Sequence, residues 1–225
     1  MLRLTALAAG LLLSANVFAL SLADLSQADA SSGLKDALTQ GAQIAVQQLG
    51  QPGGFSNNQD VRIELPGKLG KAAKTMKMMG MGAQVEELEA SMNKAAEAAV
   101  PQAQAILVDA VKKMTVSDAK AILAGGEDSA TQYLNKSSRE QIRARFLPIV
   151  KQATDKVGLA QQYNNFAGQA VALGVVDAKS ASIENYVTEK ALDGLFEMIG
   201  KQEQSIRQNP AEAATSLAKK VFGAL

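Results

Sequence analysis

Apolar positions recur at helical spacing along most of this chain. After Ser31 and Ser32, the stretch "GLKDALTQGAQIAVQQLG" sets Leu34, Leu38, Ala45 and Leu49 near one face. "AQVEELEASMNKAAEAA" predicts a second helix, which Val100-Pro101 interrupts before "QAQAILVDAVKKM". Thr115 with Asp118 forms a capping box that opens "VSDAKAILA", and Gly125-Gly126 closes it. Ser137 with Glu140 forms another, ahead of "REQIRARFLPIVKQATDKVG", where Pro148 is expected to kink or interrupt the helix. "LAQQYNNFAGQAVALG" predicts one more. The longest is "SIENYVTEKALDGLFEMIGKQEQSIRQ", whose apolar residues, from Ile183 and Val187 to Ile199 and Ile206, cover an arc wide enough for packing on two sides; this places it at the centre. Asn209-Pro210-Ala211-Glu212 reads as the start of a last helix. The expected fold class is all-α, a single compact multi-helix domain of about seven to nine helices over residues 33–225.

One segment breaks the pattern. In "GGFSNNQDVRIELPGKL", turn-forming residues precede Val61, Ile63 and Leu65, which alternate with Arg62 and Glu64. Period-two alternation predicts a half-buried strand, and a lone strand leaves its ladder groups unpaired. The expected partner is Met114 to Val116, giving a short strand pair near residues 61–65; pairing with a second copy or a foreign peptide is the alternative.

The first residues read as a targeting signal. Arg3 precedes the apolar run Leu4 to Leu13, and Val17 and Ala19 are the small residues a signal peptidase reads. Cleavage is expected after Ala19, with a second site after Ala23, leaving residues 20–32 as a flexible N-terminus. A periplasmic or secreted protein follows, with no transmembrane segment after cleavage, since the apolar run is shorter than the ~20 residues a span needs. No cysteine follows the cut to take a lipid anchor.

Composition narrows the chemistry. Lys and Arg total 23 and Asp and Glu 22, so without Arg3 the charges balance. A neutral chain lacks the basic footprint of a nucleic-acid binder. With no Cys there is no disulfide or thiol nucleophile, and with no His the commonest general base and imidazole ligand are missing. No protein-bound metal or cofactor is expected, and no catalytic residue stands out.

The candidate binding segment is "LPGKLGKAAKTMKMMGMG". Wound as a helix, it puts Lys71, Lys74 and Lys77 on one face and Leu69, Ala72, Met76 and Met79 on the other, a basic amphipathic pattern suited to an anionic membrane surface. Met76, Met78, Met79 and Met81 make it a candidate adaptable groove for an apolar molecule or a partner helix. Clustered thioethers also suit Cu(I), although no His accompanies them. The plain alternative is a surface helix with a solvated lysine face, balanced by Glu86, Glu87 and Glu89. Ser91-Met92-Asn93-Lys94 matches the S-x-x-K pattern of penicillin-binding proteins but lacks the companion motifs, and we set it aside. Glu189, Asp193, Glu197 and Lys201 read as the polar stripe of an exposed helix face.

Several blocks together resemble a family of exported bacterial proteins, domain of unknown function 4197: "GLKDAL", "GGFSNNQDVRIELPGKL", "MNKAAEAAVPQA", "AILAGGEDSATQYL", "FLPIV" and "YVTEKALDGLFEMIGKQEQSIRQNP". The resemblance runs from about Gly33 to Gly223. It implies a mostly helical exported protein and supplies no catalytic residues. Its blocks fall on Asn93, Glu97, Pro101, Thr131, Tyr186, Thr188, Glu203, Arg207 and Pro210. Of these, Asn93, Glu97, Tyr186, Glu203 and Arg207 are the expected buried polar network. The functional expectation is a non-enzymatic envelope protein that binds an apolar ligand, a membrane surface or a partner helix. The alternatives are a structural or assembly role, or an enzyme using paired carboxylates such as Glu97 and Glu203.

Overall fold

The computed structural model describes residues 25–65, 78, 80, 82–155, 160, 161, 164 and 182–225. The chain is all-helical, and no strand occurs among the described residues. The expected total of seven to nine helices takes in stretches outside these residues and is not established.

Helix α1 (Gln27–Leu49) starts at Ser26, whose side chain accepts from the Asp29 N–H. Residues 27–32 therefore belong to the helix rather than to a flexible N-terminus, with Ala30 and Ser31 already buried. α2 (Gly82–Ala99) and α3 (Ala103–Lys113) are separated by a 3₁₀ turn at Val100–Gln102, where Pro101 takes an early position that needs no N–H. α4 (Val116–Leu123) opens with the expected capping box: Thr115 accepts from Asp118 N–H, and the Asp118 carboxylate accepts from Thr115 N–H. The Thr115 hydroxyl also donates to that carboxylate, and the backbone and hydroxyl bonds from Thr115 hold the Asp118 carboxyl below its ordinary value.

α5 (Ser129–Thr154) corrects two expectations. Ser137 sits inside the helix, its hydroxyl donating to the Leu134 carbonyl, so the Ser137–Glu140 spacing is not a start signal. The helix also continues through Pro148. α6 (Ile183–Gln208) is capped by Ser182 and packs against α1, α2 and α5, the central position that its wide apolar arc predicts. Pro210–Glu212 forms only a 3₁₀ turn; the last helix, α7 (Ser216–Phe222), starts at Thr215.

The close approach of α7 to α1 depends on Gly33, where a Cβ would lie 2.6 Å from Val221 Cγ2 and 2.9 Å from the Leu217 carbonyl oxygen. Likewise a Cβ on Gly194 of α6 would lie 2.9 Å from the Phe55 ring and 3.1 Å from Val61 Cβ. That space admits the 51–65 segment against α6.

This segment overturns the strand pair. Gly53, at φ +88°, starts a chain of turns that buries Phe55 completely. Val61, Ile63 and Leu65 then face the core while Arg62 and Glu64 face out, as the alternation predicts. No strand meets it among the described residues. Met114 is occupied in ending α3, its N–H bonded to the Val111 carbonyl. Helix side chains meet the Ile63 N–H and C=O and the Glu64 carbonyl instead.

Candidate functional site

Asn93 and Glu97 stand one turn apart on α2 and hold the 51–65 segment. Asn93 Oδ1 accepts from Ile63 N–H at 2.9 Å, and Asn93 Nδ2 donates to the Ile63 carbonyl at 2.9 Å. The side-chain amide thus reproduces the two-bond pairing that a neighbouring strand supplies. Glu97 Oε1 accepts from Phe55 N–H, Ser56 N–H and the Ser56 hydroxyl. Both side chains are buried. On the opposite edge, the Tyr186 hydroxyl of α6 donates to the Glu64 carbonyl at 3.0 Å.

Glu203 and Arg207 form a second centre. Asp128, the residue before α5, makes no side-chain cap bond. Glu203 takes over that task from α6: its carboxylate accepts from Ala130 N–H, from Thr131 N–H and from the Thr131 hydroxyl. A carboxylate there meets unpaired donors and the positive end of the helix dipole. Arg207 neutralises it at 2.9 Å and donates onward to the Ile122 carbonyl at the end of α4, with its guanidinium 5.7 Å from the centre of the Phe222 ring.

Asn93, Glu97 and Tyr186 therefore meet around one extended segment, while Glu203 and Arg207 join α4, α5 and α6 elsewhere. Glu97 and Glu203 share no hydrogen-bond partner. Of the Lys–Met segment, Lys71, Lys74, Met76, Lys77, Met79 and Met81 lie outside the described residues, and Met78 is 80% exposed.

Two features escaped sequence reasoning. Glu184 is buried at the start of α6, accepting from Asn164 Nδ2 and the Thr154 hydroxyl; nothing in its spacing separates it from an ordinary first-turn acid. The stripe Glu189–Asp193 is not simply solvated either. Arg139 of α5 bridges both carboxylates and Arg143 binds Glu189. Burial works against the Glu189 charge, but the two arginines outweigh it and hold the carboxyl below the usual range. The signal was the matching arginine spacing in "REQIRAR", legible only once the two helices are known to be neighbours.

Between α1 and α6 lies a cavity of about 10 Å³, the size of one water at most. Larger clefts are open ones. One of about 410 Å³ runs between residues 59–64 and the Tyr186–Glu197 face of α6, and another of about 410 Å³ separates Pro52 and Gly53 from Ala90, Lys94, Glu97 and Ala98. Among the described residues no three Asp or Glu side chains converge as a metal site, and no helix is long and apolar enough to cross a membrane.

Neither a curated protein nor a solved structure matches the chain. The sequence pattern of one family, described as "Protein of unknown function (DUF4197)", matches residues 24–223, a span that contains the buried Asn93, Glu97 and Glu203 and the half-buried Tyr186 and Arg207, and the chain belongs to that family.

Proposed function

We propose that this is an exported, non-enzymatic protein of the cell envelope that works by binding a macromolecular partner on its surface. The observation that carries the reading is the employment of its buried acids. Of the pair that an acid–base mechanism would draw on, Glu203 spends both oxygens on the Ala130 and Thr131 N–H groups, the Thr131 hydroxyl and Arg207, and Glu97 spends Oε1 on Phe55 N–H, Ser56 N–H and the Ser56 hydroxyl. General acid–base chemistry needs a proton donor or acceptor open to substrate; Glu203 is committed to the protein's own backbone and to Arg207, and Glu97 is tied through Oε1 to the 51–65 segment. The water-sized cavity between α1 and α6 likewise favours surface recognition over storage of an apolar molecule.

Native mass spectrometry of the protein, purified gently from the envelope fraction, tests the reading. A polypeptide retained at fixed stoichiometry supports it; a retained lipid or metabolite mass overturns it in favour of a small-ligand carrier. N-terminal sequencing of the same sample tests export, with a start at Leu20 expected.

A membrane-surface reading is favoured by Met78, a large apolar side chain left 80% exposed beside Lys71, Lys74 and Lys77 in sequence. Its test is co-sedimentation with anionic vesicles. Binding that survives replacement of the three lysines by Glu counts against it.

A further inference from the structure

The extended segment at residues 61–65 presents one backbone edge to Asn93 and the other to the open cleft beside α6. In an extended chain the N–H and C=O of alternate residues point the same way, so the groups of Arg62 and Glu64 share the edge opposite Asn93. The outer two are satisfied: Arg62 N–H donates to the Asn58 carbonyl, and the Glu64 carbonyl accepts from Tyr186. The inner two, Arg62 C=O and Glu64 N–H, take no hydrogen-bond partner among the described residues. They flank Ile63 beside a cleft of about 410 Å³. The Glu64 side chain lines the same cleft, is exposed, and joins no ion pair among the described residues.

We propose that this edge and cleft form a docking site for an extended peptide segment, running parallel to residues 62–64 and carrying an acidic residue, then any residue, then a basic one. The proposal rests on the surface-binding reading above and supplies the site and partner chemistry for it. A carbonyl on residue 62 and an N–H on residue 64 are the pair that one residue of a parallel strand engages, giving its N–H to the first and its C=O to the second. That residue lies opposite Ile63. Its two neighbours then stand beside Arg62 and Glu64, with side chains on the same outward face. Charge complementarity sets their identities: a carboxylate beside Arg62 and an ammonium or guanidinium beside Glu64. Arg62 is only loosely held, 3.7 Å from Glu89. Adding a strand to an edge in this way draws affinity from backbone bonds and specificity from alternate side chains.

The test uses the whole processed chain and two fluorescein-labelled heptapeptides, Thr-Val-Glu-Val-Lys-Val-Thr and the same peptide with Glu and Lys exchanged, read by fluorescence anisotropy. The first is expected to bind about tenfold more tightly, since each charged contact contributes on the order of a factor of ten or less. Glu64→Pro removes the N–H that the peptide carbonyl would take, and Glu64→Lys reverses the charge without touching the backbone. Each is expected to weaken the first peptide about tenfold with helicity and melting unchanged, and if the proline variant does not fold the lysine variant decides. Equal binding of the two peptides overturns the proposal, as does binding indifferent to Glu64→Lys. If neither peptide binds while the envelope-purified chain retains a polypeptide, this site falls and the surface-binding reading stands. If that chain is also bare, both fall.

Discussion

The side-chain amide of Asn93 bonds both the N–H and the C=O of Ile63, at 2.9 Å each, so one helix residue stands in for a neighbouring strand. Its Nδ2 also donates to the Glu89 carbonyl at 2.8 Å, which locks the orientation of the amide. The extended segment is therefore clamped to α2 through its backbone rather than through a sheet.

Asn93→Ala is expected to destabilise the protein by about 2–4 kcal/mol, because it leaves both Ile63 groups buried and unpaired. Asn93→Asp keeps the size but turns an acceptor towards the Ile63 carbonyl, and it should cost at least as much. Urea unfolding of the two variants measures this; a loss below about 0.5 kcal/mol for Asn93→Ala is incompatible with the clamp.

Glu203→Ala removes the side-chain cap on the N-terminus of α5 and strands the Arg207 guanidinium, so a loss of about 3–5 kcal/mol is expected. Glu203→Gln keeps an acceptor for Thr131 but loses the ion pair, and it should fall between wild type and Ala. Thermal melts of the three proteins give the order.

Two helical glycines should respond with opposite sign. Gly33→Ala forces a Cβ against the Leu217 carbonyl and Val221, and overpacking of about 1–3 kcal/mol outweighs the gain in helix propensity. Gly200→Ala meets only Thr131, at an ordinary 3.8 Å, so the propensity gain of about 0.5–1 kcal/mol should show as stabilisation. A Gly33→Ala variant that is stabilised in chemical denaturation counts against the close α1–α7 packing.

The Glu189 carboxyl is held below its ordinary value in the folded chain by Arg139 and Arg143. A depressed folded-state pKa contributes stability that is complete above the unfolded value, about 4.3. That stability disappears as the pH falls through the lower, folded-state value. Glu189→Gln abolishes this contribution, so the variant should be less stable than wild type near pH 7, and the gap should narrow as the pH drops below about 4. Denaturation across pH 3–7 follows the gap; a constant difference contradicts the assignment.

The Thr188 hydroxyl is fully buried without a hydrogen-bond partner among the described residues. Thr188→Val replaces it with a methyl of the same shape, and an unchanged or raised melting temperature is expected. A drop equivalent to about 1 kcal/mol or more points to an ordered water bonded there.

Local chemistry alone determined much of this protein. The apolar spacing of α6, the capping box at Thr115 and the in–out alternation from Val61 to Leu65 depend on residues a few positions apart, so a single strand of text carries them. The same locality misled at Ser137 and at Asn209, where good start signals lie in a continuing helix and in a 3₁₀ turn. What only the tertiary structure decided is who answers each unpaired polar group. Ile63 and Asn93 are thirty positions apart, and Glu203 and Thr131 are seventy-two. The resemblance drew attention to Asn93, Glu97, Tyr186, Glu203 and Arg207 together, but it did not divide them into a clamp and a cap. Hydrogen-bond partners across such separations are chosen by how helices pack, and packing depends on the summed fit of many apolar side chains rather than on any motif.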